Sequence, residues 1–181
     1  MVEEKGPAPI RQFLKTLEGY VKKGDRGALA HIRHGFSEAT AYRAWPYIAG
    51  WCRNLADDRE RSIWLVVSAG FATHQRTVRG SGNLGAVIRQ LATGQDARKP
   101  VEALKSFDGR FRRLLTCASA EELSLHLPGI IRAAERNGIP VDFEQLFWDL
   151  IRWENPEGKV RIKWATSYWA AKIQTEGGEN A

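Results

Sequence analysis

Two cysteines in 181 residues, Cys52 and Cys117, are too few for the disulfide framework of a small secreted domain or for a thiolate metal site. Seven prolines, no low-complexity tract and no internal repeat exclude proline-rich linkers and solenoid arrays. No apolar stretch approaches the roughly 20 residues of a membrane-spanning helix, and the start "MVEEKGPAPI" has neither the basic head nor the apolar run of a signal peptide. The expectation is a soluble, cytoplasmic protein with no membrane partner. What is present is globular: 43% hydrophobic and 27% charged residues, with seven tryptophans that mark core or interface. Lys and Arg outnumber Asp and Glu by 27 to 21, a formal charge of +6 that favours a polyanionic partner.

Helical periodicity runs through most of the chain. Ile10, Phe13, Leu14, Leu17 and Val21 recur at steps of three and four. Asp25 is placed to cap a second helix and Ser37 a third, "EATAYRAWPYIAGWCRNL", whose expected inner face is Tyr42, Trp45, Ile48, Ala49 and Cys52 with a kink at Pro46. "IWLVVSAGF" taken alone reads as a buried strand, but its length and the acidic turn before it favour a buried helix. Asn83 caps "LGAVIRQLATG", and Ser119 opens a capping box before a helix reaching Arg136. "VEALKSF" and "GRFRRLLTCA" read as successive helical pieces, and "DFEQLFWDLIRW" and "KVRIKWATSYWAAKI" close the pattern. No segment alternates with period two. The fold class is therefore all-α: about eight or nine helices in two halves, near 7–95 and 100–173, joined at "QDARKP" and followed by a flexible tail, 174–181.

Gly80, Gly82 and Gly85 have the spacing of a dinucleotide-binding fingerprint. That motif works only where it leaves a strand of a parallel sheet, and here the glycines follow a helix through a polar loop. We expect a loop and helix start, and no cofactor. His31 and His34 are three apart on a helix, but His74, His126 and scattered acids complete no ligand set, so no metal site is expected. Ser, His and Asp residues are present without a nucleophile elbow or a paired-acid motif, and no catalytic constellation is expected.

The basic residues are more informative. Arg76 and Arg79 lie in the glycine loop beside a helix amino end, a place suited to phosphate. Arg110, Arg112 and Arg113 crowd one helix whose Phe111 and Leu114 point inward. Arg161 and Lys163 start the last helix, and Lys22, Lys23, Arg26 and Arg33 form a fourth group. One such cluster is as readily a solvated face neutralised by acids. Several on short helices of one domain favour a phosphate track with weak sequence dependence.

The ordered segments "KGDRGALAHIRHG", "AYRAWPYIAGW", "LVVSAGFATH", "NLGAVIRQLA", "GRFRRLLTCASAEELSLHLPGIIRAAERNGIPVDFEQLFWDLIRW" and "VRIKWATSYW" resemble the CasB family, the small subunit of type I-E CRISPR Cascade complexes, over Phe13 to Trp169. The resemblance implies an all-helical, non-catalytic protein present as two copies in a complex with guide RNA, repeated backbone subunits and a large subunit. It implies a basic surface that stabilises target DNA and the displaced strand of the R-loop, binding single- and double-stranded DNA. The positions matching the family's phosphate contacts are Arg33, Arg76, Arg79, Arg110, Arg112, Arg113, Arg161 and Lys163. His34 stands where relatives can have Arg, which weakens that contact at neutral pH. The competing expectation is a purely structural adaptor that joins other subunits without touching DNA.

Overall fold

Eight consecutive residues, Ile63 to Gly70, are buried, and they belong to one helix, α4 (Asp58–Thr73). Asp57 caps it by accepting from the Glu60 amide at 2.6 Å, and Asp58 and Glu60 place negative charge in its first turn. A helix buried on every side needs neighbours on every side. The computed structural model describes residues 9–74, 82–94 and 100–169 and supplies them. On one flank lie α1 (Pro9–Lys23), α2 (Arg26–Arg33) and the four-residue α3 (Trp45–Ile48), and on the other α7 (Ala120–Arg136) and α8 (Phe143–Ile151). Trp64 sits between Phe13 and Phe147, with ring centroids at 5.1 and 4.8 Å, tying α1, α4 and α8 together. Truncating such a side chain to Ala costs about 3–5 kcal/mol.

A second group packs beside the first. It comprises α5 (Leu84–Thr93), α6 (Pro100–Thr116) and α9 (Val160–Trp169), with α5 against both others and also against α7. Phe111 of α6 stacks on Tyr168 of α9 at 4.1 Å, while Arg161 at the start of α9 reaches Cys117 just past the end of α6, so the two helices run antiparallel. Asp149 of α8 joins the groups. It is 4% exposed and accepts from Trp164 Nε1 at 2.7 Å and Gln145 Nε2 at 2.8 Å. Among the described residues there is no strand, and the all-α expectation holds, as does the helical reading of "IWLVVSAGF".

Two elements differ from the sequence reading. The expected third helix is broken: Glu38–Arg43 forms a 3-10 helix, α3 starts at Trp45, and Ser37 makes no side-chain cap. A three-residue turn buries Ala41 and Ala44, with Ile48 and Cys52 beyond, and leaves Tyr42 and Trp45 outside. Conversely, α6 passes straight through Gly109, which is exposed and where an added Cβ would meet nothing. Burial of Phe111 and Leu114 outweighs the roughly 1 kcal/mol that glycine costs a helix. Residues 95–99, Gly80 and the tail 174–181 lie outside the described residues.

Candidate nucleic-acid interface

The arginines sort by partner. Arg11 pairs with Glu144 at 2.6 Å, Arg59 with Glu154 at 2.8 Å, Arg53 with Glu60 at 3.5 Å, and Arg61 with Asp58. These cations are neutralised within the fold. No acid among the described residues forms an ion pair with Arg33, Arg110, Arg112, Arg113 or Lys163, all of them exposed.

On α6, Phe111 is fully buried, and with about 100° between successive residues Arg110 and Arg112 emerge on its two sides while Arg113 faces away. Aromatic rings hold two of the guanidinium groups: Arg112 lies 5.1 Å from the Trp169 ring centre and Arg110 lies 5.7 Å from that of Phe107. Stacking orients a guanidinium without neutralising it, so its N–H donors stay free for phosphate oxygens. The nearby acid, Asp108, is occupied by Trp169 Nε1 at 3.2 Å and by Tyr168.

Arg33 ends α2, and its Nε donates to the Ala72 carbonyl at 3.0 Å, near the end of α4. It lines an open groove of about 310 Å³ with Phe36, Thr73, Arg132, Glu135 and Arg136. Arg132 lies 5.1 Å from the Phe36 ring centre. The structure thus brings Arg33 together with two arginines that sequence reasoning missed. Their signal was present, since Arg132 and Arg136 sit four apart on α7, off its buried stripe of Leu127, Ile131 and Ala134.

The two candidates on α9 part company. Arg161 is half-buried, stacks on Trp153 at 4.9 Å, and its Nη2 donates to the Cys117 and Ala118 carbonyls at 2.8 and 3.4 Å. It closes the carboxyl end of α6 (Pro100–Thr116). Lys163 is exposed on the flank of α9 facing α5, where its own carbonyl accepts from Asn83 Nδ2 at 3.2 Å. Arg76 and Arg79 lie outside the described residues. His34 accepts from Arg43 Nη1 through Nε2 at 3.4 Å and bonds Thr40 through Nδ1 at 3.0 Å.

The glycine spacing acquires a different cause. A Cβ on Gly85 would collide with the Trp164 carbonyl oxygen and lie 2.8 Å from its carbonyl carbon and Cα, so this glycine lets α5 and α9 touch backbone to backbone. Gly82 has φ of 110°, a conformation that favours glycine in the turn before Asn83. Asn83 Oδ1 accepts the Ala86 amide at 3.3 Å, capping α5. Among the described residues no three His, Cys, Asp or Glu side chains are grouped to hold a metal ion, and no helix is long and apolar enough to cross a membrane.

Fold and site together define a small all-helical protein whose unneutralised arginines face solvent from helices built on a shared core. The family described as CRISPR-associated protein Cse2 matches residues 28–169. A relative so described from Thermus thermophilus is 26% identical over 167 residues, covering 91% of this chain and 90% of its own. The crystal structure of CasB from Thermobifida fusca shares the fold with a TM-score of 0.60 at 18% identity, over 87% of this chain and 93% of that one. The chain belongs to the CRISPR-associated Cse2 family, the CasB family met in the sequence, whose members are small subunits of the multisubunit Cascade complex.

Proposed function

We propose that this chain is a non-catalytic nucleic-acid-binding subunit of the type I-E Cascade complex, where two copies, beside the large and backbone subunits and guide RNA, hold target DNA and the displaced strand. The observation that carries this reading is the trio Arg110, Arg112 and Arg113, exposed on one helix with no ion pair to an acid among the described residues. Arg33, with Arg132 and Arg136, and Lys163 supply further phosphate contacts, and Arg76 and Arg79 join them on sequence grounds. Arg161 positions α6 and α9 instead. Guide pairing reads the target, and these cations lower the free energy of a nearly balanced strand exchange. Buried Asp149 supports a non-catalytic role, because it is spent on Trp164 and Gln145 in holding α8 to α9.

With about four phosphates neutralised, log affinity for a single strand falls with log salt at a slope near −3. A flat response refutes the reading. The structural-adaptor reading draws on Leu125 and Ile162, apolar side chains 73% and 62% exposed on α7 and α9. Crosslinks from the assembled complex that reach only protein, never the displaced strand, would favour it.

A further inference from the structure

We infer that the face made by the 3-10 helix Glu38–Arg43 and the start of α3 is a base-stacking contact for single-stranded nucleic acid, with Tyr42 and Trp45 as the stacking rings and Arg43 as their cation. The inference rests on the nucleic-acid reading and adds to it a contact that recognises bases, where α6 recognises phosphate.

Tyr42 is 55% exposed and Trp45 41%, whereas the other six tryptophans are buried or half-buried. Three residues per turn bring side chains at i and i+3 to the same side of the chain, and a rise of about 2 Å per residue separates them by roughly 6 Å. The same turn sends Ala41 and Ala44 inward, so the two rings add little to the core. Arg43 lies 5.9 Å from the Tyr42 ring centre. Its Nη1 reaches His34 Nε2 at 3.4 Å, and because a guanidinium cannot accept, that nitrogen is the acceptor and Nδ1–H donates to Thr40. No acid among the described residues forms an ion pair with Arg43, so its charge stays available.

The surroundings identify the occupant. Tyr47 of α3 packs edge-on against Tyr20 and His31, with centroids at 6.0 and 6.3 Å, which seats α3 against α1 and α2. Exposed Lys22 and Lys23 end α1, and exposed Arg26 starts α2. Among the described residues the acids of α1, of its link to α2 and of the 3-10 helix are Glu18, Asp25 and Glu38, and Asp25 caps α2 by accepting from the Ala28 amide at 2.9 Å. Exposed rings with the Arg43 guanidinium against one of them, on an element seated on helices α1 and α2 that carry more cations than acids, suit a ligand with a flat π face and an anion on every unit, which describes an unpaired strand.

The test compares the full chain's affinity for oligothymidylate and for an abasic strand of equal length, at one salt concentration. Stacking contributes about 1–3 kcal/mol per base, so Trp45→Ala loses roughly 5-fold or more on oligothymidylate. On the abasic strand it stays within about 2-fold, and Trp45→Phe restores most of the loss. Both variants keep the parent's helical circular dichroism, since the ring is exposed. Equal affinity of the parent for the two strands, or equal losses on both in Trp45→Ala, overturns the inference and leaves the phosphate reading standing. Unchanged strand affinity with failed incorporation into the complex overturns it in favour of a protein partner. Absence of binding to either strand takes down both readings.

Discussion

Replacing Gly85 with Ala tests whether the glycine spacing serves packing or a ligand. Alanine is the better helix former by about 1 kcal/mol, and Gly85 lies inside α5, so local propensity alone predicts stabilisation. The added methyl would sit 2.8 Å from two backbone carbons of Trp164, about 1 Å inside the ordinary 3.5–4.0 Å separation of carbon atoms. No side chain can swing aside, because the obstructing atoms are the backbone of α9. The helices must separate, which loosens Leu84, Val87 and Ile88 from the core. Overpacking of this kind costs 1–3 kcal/mol and occasionally more, and the rigidity of both partners puts the net cost at about 2 kcal/mol. For a chain of this length that lowers Tm by roughly 4–8 °C. Circular dichroism melts of Gly85→Ala and of a control, Gly109→Ala, provide the measurement. Nothing lies near a Cβ at Gly109, so the control melts at or above the parent. A Gly85→Ala variant that also melts at or above the parent refutes the packing argument.

Burial raises the Asp149 carboxyl above its usual range, and the hydrogen bonds from Trp164 and Gln145 and the charges of Lys163 and Arg152 only partly offset this. The folded chain then holds a proton that the unfolded chain has released, so this site's contribution is full below the usual carboxylate pKa and is lost as pH rises through the raised one. Asp149→Asn removes that slope; urea unfolding of parent and variant between pH 4 and 7 should show the parent losing ground as pH rises, and a gain would be fatal to the assignment. Arg161→Ala deletes the carbonyl contacts that close α6 and should cost about 1–3 kcal/mol in thermal melts. Its strand affinity per folded molecule should match the parent's, and a lower affinity would restore Arg161 to the phosphate track. Burial pushes up the thiols of Cys52 and Cys117, with Glu60 and Glu122 adding to it, so thiolate is scarce at both. Mass spectrometry after iodoacetamide should find neither alkylated at pH 7 until the protein is unfolded; labelling of the native chain would show that one is exposed.

Where a helix buries one stripe, periodicity exposed it. Ile10, Phe13 and Leu17 of α1 are fully buried, and Asp25, Asn83 and Ser119 each cap the helix that follows them. Periodicity failed where the helix type changed, because a 3-10 turn advances three residues per turn and exchanged the expected inner Tyr42 and Trp45 for Ala41 and Ala44. Among the cations, sequence showed which crowd together but not which are already engaged. Arg110 and Arg161 looked alike as letters, yet one stacks in solvent over Phe107 and the other is drawn onto the Cys117 carbonyl 44 residues away.

By itself the sequence determined the class of fold, the excess of positive charge and the local starts of helices, because those depend on neighbours within a turn or two. Only the tertiary structure decided that Gly85 marks a helix crossing, that Arg33 shares a groove with Arg132 and Arg136, and that Tyr42 of the 3-10 helix and Trp45 at the start of α3 face outward. These are contacts between segments distant along the chain, or between a segment and solvent. Packing selects them for the whole molecule at once, so no single stretch of sequence contains them.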